Sequence, residues 1–544
     1  MRLALFLAAV LFVQSPDTPE WPTKGWRLST PQAAVLDAGV LAVLDSDIAA
    51  GKYGFLDSVL IIRHGRIAYE RTYKHDYDRI YGENARKPSP LNATDPSGPY
   101  NYFNSWWHPF YRRQDLHTLQ SVTKTVTSIV IGIALARNEF PALDTPVLNF
   151  FDPHRVANVD DRKRRMTIRH LLTMTAGLDW NEDLPYADPN NSAIVMEASV
   201  DWVRFAIDRR MADEPGAIFK YNSGATQLLS HIFRVATGRD IEDYAGQHLF
   251  APLGVVRHFW KRTPTGLIDT EGGLYLHPHD VAKIGYLFLR NGAWEGRTIV
   301  RPEWVAASIA PSADVGNGVK YGFKWWLMPY GTDGRFAWTG NGFGDQRLIV
   351  VPEHDLVAVF TGWNILPGRP NLSRRVAVDR ILEAVVRRTT KPPDIFFVPT
   401  RHTVADAMLS LADVGPSDLV YDLGSGDGRI VILAAQKYGA RGVGVEIDPK
   451  LVQISSQVAR EGGVADRVRF IEGDLFTTDI SGATVVTLYL STRINQRLEA
   501  KLKRELRPGS RIVSHQFGIG RWSPAEIVRA EDGTDLLLWK IPAR

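Results

Sequence analysis

The stretch Leu119-Gln120-Ser121-Val122-Thr123-Lys124-Thr125-Val126-Thr127-Ser128-Ile129-Val130-Ile131-Gly132-Ile133-Ala134-Leu135-Ala136 limits what this chain can fold into more than any other. Polar side chains crowd its first two turns, and the rest is almost wholly apolar. A helix without a polar stripe has to be buried on all sides, so only its first turn is left to open into a cleft. Ser121 and Lys124 are three apart and share one helix face. A serine hydroxyl is a poor nucleophile until a base takes its proton. A lysine amine is that base only when neutral, and burial and the positive end of a helix both depress its pKa. On its own the Ser-x-x-Lys tetrapeptide is common, and a capping serine beside a solvated lysine is the plain alternative.

A length of 544 residues suits two or more domains. The 44% apolar content marks a core-forming protein rather than a disordered one. The net charge is only +4, and from Lys391 onward 20 Lys/Arg stand against 19 Asp/Glu, so no basic block points to nucleic acid. With zero cysteines there are no disulfides, cysteine nucleophiles or thiolate metal sites. Arg2, the apolar run Leu3 to Val13 and the polar break Gln14-Ser15-Pro16 read as a signal peptide over residues 1–15. The expected location is therefore periplasmic or secreted. The alternative is an uncleaved N-terminal helix and a cytoplasmic protein. The run is too short for a stable membrane span, and no other segment reaches that length.

Residues 59–70 read as a hairpin around His64-Gly65, and residues 75–115 as a long aromatic loop that either walls a substrate cleft or packs as a surface insertion. A short helix follows at Ile168 to Gly177. Tyr221 stands in the turn before a helix from Ala225 to Ala236, where a phenol reaches a cleft. His277 and His279 lack further ligands at metal spacing, so no metal is expected. Between Tyr321 and Trp363 a run of strands with glycine corners reads as antiparallel sheet.

Four markers in this order resemble the serine beta-lactamase and penicillin-binding protein superfamily, in its class C-like esterase and 6-aminohexanoate-dimer hydrolase branch. They are Ser121-Val122-Thr123-Lys124, the Leu171 to Leu178 stretch, Tyr221-Asn222-Ser223 and Trp338-Thr339-Gly340. The resemblance implies that Ser121 attacks a carbonyl carbon while Lys124 and Tyr221 share the proton transfers. It also implies an oxyanion hole from the Ser121 N–H and an N–H of the Gly340–Asn341 region. Ser223 replaces the usual Asn, and Trp338 replaces the cation that pairs with a substrate carboxylate, Arg335 being the nearest cation in sequence. The expected substrate is therefore a small-molecule ester or amide, with beta-lactamase or D-Ala-D-Ala peptidase-like chemistry as the alternative.

After a basic joint, Arg387 to Pro393, the pattern changes. Leu419 to Leu423 is an apolar strand, Gly424-Ser425-Gly426-Asp427-Gly428 a glycine turn, and Ile430 to Lys437 a helix. A second strand ends at Glu446, placed to accept both ribose hydroxyls, and a third ends near Asp474. This series resembles class I S-adenosylmethionine-dependent methyltransferases. The resemblance implies S-adenosyl-L-methionine held by Asp422, Gly424, Ser425, Gly426, Gly428, Glu446 and Asp474. Phe397-Val398-Pro399-Thr400 and Val513-Ser514-His515-Gln516-Phe517 are similar to small protein-lysine methyltransferases of the ATP synthase c-subunit type. Leu488-Tyr489-Leu490-Ser491-Thr492 stands where amide and adenine-amine methylating enzymes carry Asn-Pro-Pro-Tyr, and the methyl acceptor stays open.

The expectation is an α/β chain of two domains. A beta-lactamase-like domain over 16–390 has an antiparallel sheet flanked by helices plus an all-helical part. A Rossmann-like methyltransferase domain follows over 391–544. A hydrolase unit that is only a silent binding module, with methyl transfer as the sole chemistry, is the further alternative.

Overall fold

The computed structural model describes residues 21–95, 97–331, 334–385 and 397–542. The expected leader over 1–15 and the joint at 387–393 lie outside the described residues. The chain divides into two compact units, Met1–Val386 and Arg387–Arg544.

The first unit is built on a nine-stranded sheet among the described residues. Its middle strands, Leu56–Arg63, Leu356–Gly362 and Gln346–Val351, are buried along their whole length because both faces of the sheet are covered. Leu60, Ile62, Leu348, Val350, Val357 and Val359 join the larger core, under helices Val122–Ala136, Ser223–Thr237 and Pro278–Leu289. Their chain neighbours Val59, Ile61, Ile349, Val351, Ala358 and Phe360 point the other way, under helices Ala38–Ala49 and Arg374–Ala384. Period-2 alternation thus divides two cores between the two faces. The sheet is antiparallel, as expected, except at one edge, where Arg27–Leu28 runs parallel to Arg66–Thr72.

Helix Val122–Ala136 is buried from Val122 through Ala134, as its lack of a polar stripe requires. Gly132 permits this, because a Cβ there would lie 2.3 Å from the Trp304 indole nitrogen. Of the two readings of the 75–115 segment, the packed one describes much of its aromatic content. Tyr77, Tyr81, Leu91, Tyr102 and Phe103 pack with Ile194, Trp363 and Ile365 as a satellite core, so much of its aromatic content is structural.

The described residues of the second unit form a seven-stranded sheet. Its strands are Leu419–Leu423, Arg441–Glu446, Val468–Glu472, Val485–Leu488, Arg511–His515, Glu526–Arg529 and Asp535–Lys540, and numbered in that order they lie 3-2-1-4-5-7-6, parallel through the first five positions, with Asp535–Lys540 antiparallel to its neighbours. The order reverses beside Leu419–Leu423, and doubly wound sheets bind ligands at the carboxyl ends of strands at such a point.

Candidate functional site

Ser121 stands at the start of helix Val122–Ala136, on the rim of a cleft of about 460 Å³ that also takes in Tyr186, Tyr221, Trp326, Asn341 and Arg374. Gln120, just before it, is held at φ 46°, a left-handed conformation that costs a non-glycine residue about 1–3 kcal/mol. The Lys124 Nζ lies 2.8 Å from the Ser121 Oγ, and the Tyr221 phenol is hydrogen-bonded to Ser121. The Tyr221 ring stacks on Trp326 with centroids 5.5 Å apart, and the Lys124 ammonium lies 5.2 Å from the Tyr221 ring centre. Three residues separated by up to 100 positions in sequence therefore meet at one hydroxyl.

The charge on Lys124 differs from the sequence expectation. Burial does oppose its ammonium form, but its negative surroundings, the Glu271 and Glu182 carboxylates among them, outweigh it and hold the pKa above the ordinary lysine value. Nζ donates to the Glu271 carboxylate at 3.1 Å and to the Glu271 carbonyl oxygen at 2.8 Å. The resting lysine is thus a cation. Burial likewise raises the Tyr221 pKa against the pull of Lys124, so the phenol keeps its proton at neutral pH.

The strand Arg335–Gly342 is placed differently from its motif reading. Trp338 packs against the larger core rather than facing the cleft. Thr339 is buried, and its hydroxyl receives the Asn341 amide at 2.9 Å. Gly340 faces the nucleophile helix, where a Cβ would come 3.2 Å from Thr125 and Val122. Of these four residues Asn341 lines the cleft, and its side-chain oxygen is buried without a hydrogen-bond partner. Strand alternation explains the split: Trp338 and Gly340 share the helix-facing side, while Thr339 and Asn341 share the other.

Ser223 does not stand in for a cleft asparagine. Its N–H and hydroxyl both donate to Glu182, at 2.8 and 2.7 Å. Glu182 also accepts from Trp180 and Tyr186, so one buried carboxylate ties the Tyr221 turn to the Tyr186 wall. His277 caps helix Pro278–Leu289, and His279 bonds Glu70 at 2.7 Å. Among the described residues no group of three His, Asp or Glu is arranged to hold a metal.

A cation does reach the cleft, from a segment no motif marks. Arg374, at the start of helix Arg374–Ala384, lies over the Trp326 ring at 3.8 Å. No ion pair holds it among the described residues, whereas Arg335 is paired with Glu353. Arg374→Gln is expected to raise the KM of an ester bearing a carboxylate about 10–100-fold, with under threefold change for a neutral ester of equal size. Equal losses on both esters would assign Arg374 to packing alone.

In the second unit a pocket of about 1060 Å³ opens at the switch point. Asp422, Gly424, Ser425, Glu446 and Asp474 line it, as do Phe397, Asp448 and Tyr489. Gly426 and Gly428 do not line it but shape the turn. Gly428 begins helix Arg429–Tyr438 at φ +80°, where a Cβ would lie 2.5 Å from Phe470. Glu446 departs from the expected role. Its Oε2 accepts the Gly426 N–H at 2.8 Å, and its Oε1 accepts those of Ile447 and Asp448 at 2.8 and 2.9 Å. That leaves lone-pair room for one ribose hydroxyl rather than two. Burial, together with Glu446 and Asp427, pushes the Asp422 pKa up to about 7, against the Thr487 hydrogen bond. The Ser425 hydroxyl is buried with no partner at the pocket wall, so the polar lining fits a polar ligand of the size of S-adenosyl-L-methionine.

Residues 57–377 match the family described as Beta-lactamase, and residues 422–526 match the ANTKMT methyltransferase domain. The chain is 44% identical over 142 residues to a protein-lysine N-methyltransferase of Saccharolobus islandicus, covering 26% of this chain and 88% of that protein. It is 26% identical over 267 residues to the 6-aminohexanoate-dimer hydrolase of Paenarthrobacter ureafaciens, covering 45% of this chain and 65% of that protein. Among solved structures, an RNA methyltransferase from Salinibacter ruber in complex with S-adenosyl-L-homocysteine is 55% identical. That match covers 27% of this chain and 95% of that one, with a TM-score of 0.27. The chain belongs to the beta-lactamase family, and it carries that serine-hydrolase-like domain fused to a lysine-methyltransferase-like domain.

Proposed function

We propose that the first unit hydrolyses esters or amides through an acyl-enzyme at Ser121. The observation that carries this reading is the Lys124 Nζ at 2.8 Å from the Ser121 Oγ, on the rim of an open cleft. Ser121 attacks the carbonyl carbon as Lys124, in the form that has given up its extra proton, takes the proton of the hydroxyl. Tyr221, hydrogen-bonded to Ser121, is placed to protonate the departing oxygen or nitrogen. Water then releases the acyl group by the reverse proton path. The Arg374 guanidinium favours substrates whose acyl or leaving part ends in an anion. The test is acid quenching during turnover of a chromogenic ester. A mass gain equal to the acyl group, on the peptide containing Ser121, is expected; turnover with no adduct at any quench time would exclude the acyl-enzyme.

For the second unit we propose methylation of a protein lysine. The activities of the Saccharolobus protein and of the lysine N-methyltransferases of adenine nucleotide translocase and of the ATP synthase c-subunit support this acceptor class. S-adenosyl-L-methionine, when bound, supplies a methyl group on a cationic sulfur. Glu446, Asp422 and Asp474 would hold it, and the Gly424–Gly428 turn would border it. The rest of the chemistry is positioning of a neutral amine in line with that methyl, which needs no obligatory acid or base.

A further inference from the structure

Behind Lys124 lies a closed set of ionisable groups that the Ser-Lys-Tyr scheme does not use. Glu271 holds the lysine at 3.1 Å and is itself hydrogen-bonded to the Glu197 carboxyl. Tyr102 donates its hydroxyl to both Glu197 oxygens, at 2.7 and 2.9 Å. Alongside, Lys261 lies 3.6 Å from Asp269, whose other oxygen accepts the N–H groups of Glu271 and Gly272. Lys124, Lys261, Asp269, Glu197 and Glu271 are all buried.

Charges buried this deeply have to balance. Lys124 and Lys261 are outnumbered by Glu271, Asp269 and Glu197, with the buried Glu182 carboxylate also facing Lys124, so a carboxyl keeps its proton. Glu197 is that acid: burial and the neighbouring Glu271 charge push its pKa far up, while Lys124 holds Glu271 ionised despite burial. The other titratable groups facing Glu271 are Tyr100, Tyr102, Tyr186 and Tyr221, all phenols held protonated by burial.

We propose that Glu271 is the terminal proton acceptor of the acylation step, acting through Lys124, with the Glu197 carboxylic acid holding it in place. This rests on the Ser121 acyl-enzyme reading above. The Lys124 ammonium gives a proton to Glu271 Oε2, so an N–H bond breaks and an O–H bond forms. The amine then takes the Ser121 hydroxyl proton as Oγ bonds to the carbonyl carbon, whose π electrons move to the oxygen. On collapse the leaving group is protonated through Tyr221, and the proton stored on Glu271 returns through Lys124. The pair is active when it carries one proton and inactive when it carries two. Its acidic limit is therefore set by a carboxylate and not by an amine.

The test is the pH dependence of fluorophosphonate labelling and of ester kcat/KM between pH 4 and 10. In the unaltered chain the acidic limb is expected below about pH 5, in the carboxylate range. In Glu271→Gln the active species becomes the neutral Lys124 amine, and the limb moves up by at least about two pH units. Activity at pH 6 falls about 100-fold and recovers on raising the pH to 9, which a packing defect would not do. Glu197→Gln still donates a hydrogen bond to Glu271, and its limb moves by less than about one unit. An unaltered-chain limb near pH 7 or above overturns the proposal even if the variants fail to fold. So does a Glu271→Gln profile that is uniformly lowered with its limb in place. Absence of any label at Ser121 in the unaltered chain would instead refute the acyl-enzyme reading beneath it.

Discussion

Ser121→Ala is expected to lower ester kcat by about 10³–10⁶-fold and to abolish fluorophosphonate labelling, while leaving the melting temperature within a few degrees. The size follows from what the hydroxyl does and what remains without it. Covalent catalysis ends, because neither Lys124 nor Tyr221 is placed as a substitute nucleophile; both serve Ser121 itself. Binding in the cleft persists, since Trp326, Asn341 and Arg374 are untouched, so KM should change far less than kcat. The fold persists too. Ser121 makes no side-chain cap to its own helix, and the helix is anchored by the buried run from Val122 to Ala134. Lys124→Ala, by contrast, leaves the Glu271 carboxylate buried without its cation, a change expected to cost about 3–5 kcal/mol of stability. Loss of activity in Ser121→Ala at unchanged stability therefore separates chemistry from folding in a way the lysine variant does not. Retention of more than a tenth of the ester activity would rule out Ser121 as the nucleophile.

The parts legible in the sequence are those whose physics is local. A run with no polar stripe dictates a buried helix, and Ser121 and Lys124 three apart on it dictate a shared face. The Gly424–Gly428 turn between an apolar strand and a helix dictates a close ligand approach, and residues from it line the second pocket. What was not legible depends on pairings across long stretches of chain. The charge on Lys124 is set by Glu271, 147 residues away, and Glu271 reads in sequence only as the residue before a glycine pair. Arg374 reaches the cleft because its helix packs on the sheet near Trp326 and Gln346–Val351, a placement no pattern of apolar residues encodes. Trp338 shows a finer limit. The strand itself was readable, but its inward and outward faces depend on registration against Leu327 and Val350, and motif position alone put its side chain on the wrong face. Tyr102, in a segment that the sequence left open between cleft wall and packed insertion, donates to Glu197 beneath the catalytic lysine.

Glu446→Ala should weaken S-adenosyl-L-methionine binding by at least about 100-fold in isothermal titration of the full chain. Removal of the ribose hydrogen bond alone would account for about 1.5–3 kcal/mol. Here the same carboxylate also accepts three backbone N–H groups, from Gly426, Ile447 and Asp448, and so holds the glycine turn against the end of its neighbouring strand. Removing it leaves those donors unpaired and frees the turn. Glu446→Gln should fall between, since one oxygen still accepts while the new NH₂ group opposes an N–H. The pH dependence of the same titration separates the turn from the charge. Asp422 titrates at about 7 because it is buried beside Glu446 and Asp427. A cationic ligand favours its ionised form, so binding expels a proton below that pH. Affinity should rise as pH increases from 6 to 8, by at most tenfold per unit for one proton, and level off above. Asp422→Asn should flatten that rise. Glu446→Ala lowers the affinity at every pH and, by removing a neighbouring negative charge, moves the rise to lower pH. Unchanged binding by Glu446→Ala would mean that the pocket holds its ligand without the carboxylate, and that the glycine turn keeps its shape by packing against Leu490 and Phe470 alone.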